Sequence, residues 1–304
     1  MQTSAKQSSL TSYGKIAYSS TGEASLAPVL FVHGIPTSGY LWRDVIAPLG
    51  KHFRCYAPDL MGLGDTQVDP ETSDFHMQAQ AQMLLDFMER QGHPSFALVC
   101  HDQGGAAAQL MVAEHPERIR ALVLTNCVAY DNWPVPVIRK LQSFSRWPLL
   151  PELLSRSGIG TWLETSTRFS AFRRGVYDAE KLSEESIREY LRPMRESRAG
   201  RERFKQFLLA GDPSFTQKAG PGLQSYRGPT CVLWAADDAY LSPSWGKRLY
   251  DDIPGARRFE LIPFCGHFWQ EEKPEAFVPI IDEFLRAHYS SEHQHQHQHQ
   301  HQEE

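Results

Sequence analysis

Three residues, each placed after an apolar segment, have the types and the spacing needed for nucleophilic catalysis. Asp102 lies in the segment 100–105, CHDQGG, between the apolar run that ends at Val99 and a stretch of helix-forming composition. This pattern matches a nucleophile elbow, a sharp strand–turn–helix connection, with aspartate where serine is usual. Asp238 follows a second apolar run, and His267 follows a third. Nucleophile, acid and histidine thus come in the chain order expected of a hydrolytic triad on a parallel sheet.

The aspartate at the elbow indicates which type of carbon is attacked. A carboxylate that attacks an acyl carbon gives a high-energy anhydride, whereas attack on a saturated carbon gives an ordinary ester that water can hydrolyse. The substrate is therefore expected to carry a leaving group on an sp³ carbon, either a halide or the oxygen of a strained epoxide. In the second step, His267 would deprotonate the water that attacks the ester on Asp102.

A further motif, HGIP at residues 33–36, follows the apolar run Val29–Val32. Glycine allows a tight turn here, and the next backbone N–H can then point into a site at the carboxyl end of the strand. The backbone N–H groups of Ile35 and Gln103 are therefore predicted to form an oxyanion hole.

Short apolar runs alternate with helix-like segments, a pattern typical of an α/β protein with a parallel sheet and helices on both faces. The predicted strands are Val29–Val32, Cys55–Ala57, Phe96–Val99, Ala121–Leu124, Cys231–Trp234 and Phe259–Ile262. The predicted helices are Gln78–Arg90, Gly105–Glu114, Trp245–Asp251 and Pro274–His288. Because the carboxyl ends of parallel strands lie at one edge, this arrangement would bring the motifs together.

One long segment interrupts this alternation. Residues 130–215 are rich in Trp, Arg and Pro and show no clear strand pattern, so they are predicted to form a helical cap inserted between two strands. Residues 1–129 and 216–290 would then form the α/β core. Residues 291–304 include a run of alternating His and Gln, either an affinity tag or a low-complexity tail, and are excluded from the fold and the site.

Composition narrows the classes of partner. The chain has 304 residues, 41% of them hydrophobic, and a formal net charge of −5 with acidic and basic residues interspersed. This balance argues against binding to nucleic acid or to an anionic membrane, and it favours a small-molecule substrate that reacts with water. The polar N-terminus and the lack of a long apolar stretch predict a cytoplasmic protein. A monomer or a small homo-oligomer is expected.

The five cysteines are odd in number and lie in or beside apolar runs, where cysteine usually acts as a small buried hydrophobe. No disulfide and no metal site is expected from them. The proposed ester chemistry uses side chains and water alone, so no cofactor is expected either.

Three motifs together resemble the haloalkane dehalogenase and epoxide hydrolase branch of the α/β-hydrolases. They are residues 33–43, HGIPTSGYLWR, residues 59–66, DLMGLGDT, and residues 101–105, HDQGG, and the resemblance extends over about residues 13–288. It implies the α/β-hydrolase fold, with a mostly parallel twisted sheet, helices on both faces and an inserted helical cap. Position by position, it implies Asp102 as the nucleophile, His267 as the base and Asp238 as the acid that orients His267.

Neighbouring polar residues bear on these roles. Asn126 falls where some dehalogenases keep a glutamate as the acid, and its neutral side chain shifts that role to Asp238. Asp237 could exchange roles with Asp238. His101 is expected to pack or hydrogen-bond beside the nucleophile rather than to act as a second base.

The chain departs from the dehalogenases at the two positions that hold the departing halide. A Trp commonly follows the nucleophile in that family and an Asn often follows the HG pair, whereas this chain has Gln103 and Ile35. Gln103 has a side-chain N–H donor and Ile35 has none. A tryptophan of the cap could supply another donor, and the candidates are Trp133, Trp147 and Trp162.

An epoxide hydrolase needs instead an acid that protonates the ring oxygen, a role that cap tyrosines have in that family. Tyr130, Tyr177 and Tyr190 lie in the predicted cap. The sequence thus favours a dehalogenase-like hydrolase, with an epoxide hydrolase as the alternative. Two further classes remain open: a cofactor-free oxygenase, because luciferases of this resemblance keep the triad, and a non-catalytic small-molecule binder, against which the complete triad argues.

Overall fold

A computed structural model of the chain describes residues 6–146, 162, 164–165 and 170–290. Within these residues, eight strands form one sheet. They are β1 (Gln7–Thr11), β2 (Gly14–Thr21), β3 (Pro28–Val32), β4 (Arg54–Pro58), β5 (Phe96–Asp102), β6 (Ile119–Cys127), β7 (Thr230–Ala235) and β8 (Ala256–Ile262). The six strands predicted from the sequence correspond to β3 to β8, so the predicted α/β class is confirmed.

The strand order is β1-β2-β4-β3-β5-β6-β7-β8. Neighbouring strands from β4 to β8 are parallel, whereas β1 pairs with β2, and β2 with β4, in antiparallel orientation. The strands β3, β5, β6 and β7 are consecutive neighbours in the sheet. The turns that follow their carboxyl ends therefore lie side by side at one edge, where ligands bind in open parallel sheets.

Eleven helices are seen among the described residues: α1 (Arg43–Leu49), α2 (Met77–Arg90), α3 (Gly104–Glu114), α4 (Pro136–Ser145), α5 (Ala171–Arg174), α6 (Glu184–Glu196), α7 (Arg198–Leu209), α8 (Ser214–Ser225), α9 (Pro243–Asp252), α10 (Trp269–Glu272) and α11 (Pro274–Leu285). Short 3₁₀ helices lie at Gly39–Trp42 and Pro116–Arg118, and a one-turn π-helix at Arg286–Ser290 follows α11. The predicted helices correspond to α2, α3, α9 and α11.

Alternate residues of each central strand enter two separate hydrophobic cores, because successive side chains of a strand point to opposite faces. In β3, Leu30 packs with the core under α2, α3 and α9, whereas Val29 and Phe31 pack with the core under α1 and α11. Both faces of the sheet are thus covered, which explains why the central strands are apolar throughout.

Between β6 and β7 the described residues form α4 to α8. Helix α8 packs along α3, the helix that follows β5. A third apolar cluster joins α5, α6 and their connection to the core, with Phe172, Ile187 and Tyr190 packed against Leu41 and Phe268. The insertion therefore rests on the same edge of the sheet as the predicted site.

Sequence patterns missed the β1–β2 hairpin and helix α1. The hairpin is polar and half exposed at the start, QSSLT, so it lacks the apolar run that marks a buried strand. All five cysteines are buried and unbridged. Among the described helices, none combines the length and the apolar character needed to cross a membrane.

Candidate active site

A strained turn between β5 and α3 presents Asp102. This residue ends β5, its φ is 52°, and α3 begins at Gly104. A positive φ is unfavourable for a residue with a Cβ atom and persists where the surrounding structure holds it. Gly34 leaves room for the turn, since a Cβ atom there would lie 2.1 Å from Oδ1 of Asp102 and 2.6 Å from the Gln103 nitrogen. The local geometry is that of a nucleophile elbow.

The Asp102 carboxylate lies between a backbone donor and a histidine. The N–H of Ile35 donates a hydrogen bond of 2.8 Å to Oδ1, and Oδ2 lies 3.4 Å from Nε2 of His267. Asp102 is only 4% exposed. The backbone nitrogen of Gln103, the second group predicted for the oxyanion hole, belongs to the same turn beside Gly34.

His33 fixes the turn that carries Ile35. Its Nε2 accepts a hydrogen bond of 3.0 Å from the N–H of Leu60, and its Nδ1 lies 3.0 Å from the Gly34 carbonyl oxygen, to which it donates in that tautomer. Complete burial lowers the pKa of His33 to about 4, against the smaller opposing effect of Asp59. The imidazole is therefore neutral and serves as a rigid brace for the turn.

Asp238 holds the other side of the His267 ring. Its Oδ2 lies 2.8 Å from Nδ1 of His267 and accepts a hydrogen bond of 2.8 Å from Nδ2 of Asn126. Its Oδ1 accepts the backbone N–H groups of Tyr240 and Leu241, at 2.8 and 2.9 Å. Four donors thus fix the carboxylate and, through it, the orientation of the imidazole.

The neighbouring carboxylate, Asp237, is placed differently. Its Oδ2 lies 3.4 Å from the backbone nitrogen of Cys265, and its own N–H donates to the Cys265 carbonyl oxygen at 3.0 Å. Asp237 thus ties β7 to the loop before His267, whereas Asp238 is the residue that contacts the ring. Asn126, at the end of β6, is a donor to the acid rather than an acid itself.

The carboxylates of Asp238 and Asp102 both affect the pKa of His267. Burial alone would lower the pKa of His267, but the charges and hydrogen bonds of Asp238 and Asp102 raise it to about 10. Opposing effects also act on Asp238. Burial alone would raise the pKa of its carboxyl group, but the charge of His267 and the backbone N–H groups lower that pKa below its ordinary value. These charges and hydrogen bonds favour the protonated form of His267 in the free site.

His101 supports the histidine rather than competing with it. Its Nε2–H donates to the carbonyl oxygen of His267 at 2.9 Å, and the two ring centroids are 4.5 Å apart. Burial and the positive charge of His267 lower the pKa of His101 to about 3. A neutral ring at this position packs against His267 without adding a second cation.

Gln103 and Trp133, both candidates for contact with the leaving group, have side-chain nitrogen atoms near Gly211. A Cβ atom added to Gly211 would lie 2.8 Å from Nε1 of Trp133 and 2.9 Å from Nε2 of Gln103. Within the described part of the chain, Nε1 of Trp133 and Oε1 of Gln103 are buried without hydrogen-bond partners. The absent side chain of Gly211 thus leaves the two donor groups close together beside the elbow.

The candidate tyrosines are placed elsewhere. Tyr130 donates to Oδ2 of Asp252 at 2.7 Å. Tyr177 is 55% exposed and lies against Phe264. Tyr190 is buried, and its hydroxyl donates to Glu271.

The other two candidate tryptophans differ in what the structure describes of them. Trp162 is 60% exposed, and Trp147 lies outside the described residues. Among the candidate cap contacts that the structure describes, Trp133 is the one near Gln103.

Tyr240 is a residue of the site that sequence patterns missed. Its ring stands nearly perpendicular to that of His267, with centroids 5.4 Å apart, and its hydroxyl donates to the Ala171 carbonyl oxygen in the insertion. Burial raises the pKa of the phenol. The only sequence signal is its position two residues after Asp238. No group of three or more His, Cys, Asp or Glu in the described ranges is arranged to hold a metal ion.

Comparison with known proteins gives relatives named for two different reactions. Residues 27–274 match the family model described as alpha/beta hydrolase fold. The chain is 25% identical to "Epoxide hydrolase 3" of Xenopus tropicalis, covering 90% of this chain and 75% of that protein. It is 27% identical to "Haloalkane dehalogenase 2" of Mycobacterium tuberculosis, covering 90% and 92%. The solved structure "Epoxide hydrolase CorEH without ligand" is similar in fold, with a TM-score of 0.76, 22% identity and coverage of 93% and 98%.

Proposed function

The chain belongs to the α/β-hydrolase family, in the branch of haloalkane dehalogenases and epoxide hydrolases, and on this premise we propose that it hydrolyses a small molecule through an ester on Asp102. One observation carries the proposal: Oδ1 of Asp102 is held by the N–H of Ile35, while Oδ2 faces His267. A carboxylate at an elbow is suited to displace a leaving group from an sp³ carbon.

In the first step, Oδ2 of Asp102 forms a bond to the substrate carbon, and the leaving group departs with the electron pair of the broken bond. In the second step, water loses a proton to Nε2 of His267 and attacks the Asp102 carbonyl carbon. Negative charge then develops on Oδ1, the atom that the N–H of Ile35 already contacts. Collapse breaks the bond between the carbonyl carbon and the ester oxygen, and the departing alkoxide takes the proton held by His267 to leave as the alcohol. The new carboxyl group then releases its proton to water and becomes the carboxylate again.

Charge on Asp102 controls when His267 can act as a base. In the free site, Asp102 and Asp238 hold the pKa of His267 at about 10 against the effect of burial, so the ring is protonated. Esterification removes the charge of Asp102 and with it part of what stabilises the imidazolium. The ring then releases its proton and becomes available for the hydrolytic water. The order of the two steps is thus built into the electrostatics of the site.

A halide is the leaving group that the site supports best. Nε1 of Trp133 and Nε2 of Gln103, the residue after Asp102, both lie near Gly211. Donors of this type stabilise a departing anion without adding a charge of their own. The alternative, an epoxide, needs an acid for the ring oxygen. Tyr240, whose ring centroid lies 5.4 Å from that of His267, is a candidate phenol for that role, and its hydroxyl would have to leave the Ala171 carbonyl oxygen to take it.

We further propose that residues 130–215 act as the cap that shapes the substrate chamber. An ionic contact joins it to the core, since Arg192 of α6 reaches Asp65 at 2.7 Å. Two further residues of α6, Ser186 and Tyr190, hydrogen-bond to Glu271 of the core. Apolar residues of the insertion pack on Phe268, next to His267. Changes in this cap should therefore alter which substrates are accepted.

A panel of haloalkanes, haloacids and epoxides tests the proposal, with halide ion, acid release and diol measured separately. Halide release with acid supports a dehalogenase, and diol without halide supports an epoxide hydrolase. The matched control is Asp102→Asn, which should release neither. Equal turnover by that variant would exclude the carboxylate as the nucleophile.

A further inference from the structure

Glu272 is a buried carboxylate that binds three backbone N–H groups. Oε2 accepts the N–H of Gly266 at 2.7 Å and the N–H of Tyr177 at 3.0 Å, and Oε1 accepts the N–H of Asp178 at 2.5 Å. Gly266 directly precedes His267, whereas Tyr177 and Asp178 belong to the insertion. One side chain therefore joins the histidine loop to the cap.

Further backbone contacts connect the loop around His267 to the insertion. The N–H of Phe268 donates to the Gly175 carbonyl oxygen at 3.0 Å. A Cβ atom on Gly266 would lie 2.6 Å from that oxygen and 2.7 Å from the Cα atom of Val176. The histidine loop and the insertion thus lie backbone to backbone, on both sides of His267.

We propose that Glu272 is a positioning residue that holds His267 for the hydrolytic step, an inference that rests on the proposed ester mechanism. A carboxylate with two fixed oxygens binds N–H groups from several directions, and charge-assisted bonds of this kind are about twice as strong as neutral ones. The loop they fix carries the ring that must face both Asp238 and the ester. Glu272 itself does not contact the reacting atoms.

The two steps of the mechanism should respond differently to a change in Glu272. Attack by Asp102 needs no proton transfer from His267, so a small displacement of the ring leaves the first step nearly unchanged. Proton transfer from water requires heavy-atom distances of roughly 2.6–3.2 Å, and a misplacement of about 1 Å can cost a reaction up to ~10²-fold in rate. A positioning role therefore predicts a selective loss of ester hydrolysis.

Glu272→Gln provides the test, because the amide keeps the size of the side chain but turns one acceptor into a donor facing a backbone N–H. With a substrate that wild type converts, rapid quenching and intact-protein mass spectrometry measure formation and decay of the ester separately. We expect formation within about twofold of wild type and decay slower by roughly tenfold to a hundredfold. Glu275→Gln is the control, since Glu275 is an exposed glutamate three residues away.

A second measurement does not need a substrate. The proton between Nδ1 of His267 and Asp238 should give a downfield NMR resonance, identified by its loss in His267→Phe. We expect Glu272→Gln to shift or broaden this resonance and Glu275→Gln to leave it unchanged. Glu272→Asp, which keeps the charge on a shorter side chain, should fall between wild type and Glu272→Gln in both measurements.

Equal slowing of both steps in Glu272→Gln and Glu272→Asp, or an unchanged resonance, would overturn the positioning role. Loss of folding in both variants would assign Glu272 to stability alone and would overturn it as well. Failure of the ester mechanism would give a different result. The wild-type protein would turn over its substrate, but His267→Phe would trap no ester from the same substrate.

Discussion

Nε2 of His267 lies 3.4 Å from Oδ2 of Asp102, on the side of the ring opposite to Asp238. In the proposed mechanism, the nucleophile would therefore be one of the two carboxylates that favour the protonated form of the base before substrate binds. The relationship would link the two proposed steps, because loss of the Asp102 charge on esterification would favour release of the His267 proton for the second.

Replacement of the base should stall the second step alone. His267→Phe is expected to form an alkyl ester on Asp102 at a rate comparable to wild type and to hydrolyse it extremely slowly. Intact-protein mass spectrometry would show the substrate mass without its leaving group on a peptide containing Asp102. Failure of this variant to form an ester with a substrate that wild type converts would mean that the imidazole acts in the first step.

Asp238 and Asp237 are adjacent, so equivalent substitutions in the two test which carboxylate orients His267. Asp238→Asn should slow ester hydrolysis strongly, by up to about 10⁴-fold, because its amide would donate toward Nδ1 and favour the wrong tautomer of His267. Asp237→Asn should have little effect on hydrolysis, since Asp237 contacts the backbone of Cys265 and not the ring. Single-turnover decay of the preformed ester measures both. A larger effect of Asp237→Asn would exchange the two roles.

Stability should fall as pH rises above neutrality. Although burial opposes it, Asp238 and Asp102 raise the pKa of His267 from 6.5 to about 10 in the folded chain. Between these values the folded state binds one proton more than the unfolded state, so the stabilisation is complete below about pH 6.5 and is lost as pH passes 10. The slope from this group is at most about 1.4 kcal/mol per pH unit.

Urea unfolding between pH 7 and 10 tests this linkage. The free energy of unfolding should decrease more steeply in wild type than in His267→Phe, which lacks the titrating ring. Identical pH dependence in the two proteins would show that His267 is not a cation in the free site.

Much of the fold and the three central site residues could be predicted from the sequence, because both depend on local patterns. Buried parallel strands are apolar runs, and a polar residue within a few positions after such a run lies at the carboxyl edge of the sheet. Asp102, Asp238 and His267 follow this rule, and the structure brings them within hydrogen-bonding or near-contact distance. The β1–β2 hairpin lacks such a run and was missed.

Side-chain direction in the insertion could not be predicted in the same way. Tyr130 was a candidate for the site, but its backbone has a φ of 53° and its hydroxyl reaches Asp252. Tyr190 is held by Glu271, a residue 81 positions away. Glu272 was missed because two of its three partners are backbone groups of residues more than 90 positions away, and no local pattern marks such a contact. Tertiary packing, not periodicity, decides these orientations.

The leaving-group donors can be tested by removing the indole N–H. Trp133→Phe should slow ester formation from a haloalkane by roughly tenfold to a hundredfold, since a charge-assisted hydrogen bond contributes about 1.5–3 kcal/mol. Decay of the ester should be unchanged. Trp162→Phe is the control, because Trp162 is mostly exposed. A similar loss in both variants, or a loss only in ester decay, would remove Trp133 from the leaving-group site.

Oxygen labelling separates attack by Asp102 from direct attack by water. In a single turnover in ¹⁸O-water with enzyme in excess, the alcohol oxygen should come from the unlabelled carboxylate, because the first step joins the substrate carbon to Oδ2 of Asp102. Hydrolysis then adds one water oxygen to the carbonyl carbon, so the label should appear in the Asp102 carboxylate. Mass spectrometry of the product and of the peptide containing Asp102 measures both positions. Asp237 and Asp238 lie in one other peptide and serve as internal controls that should remain unlabelled. Label in the first product with none in Asp102 would mean that water attacks the substrate carbon directly, and the covalent ester would then have to be abandoned whichever leaving group is found.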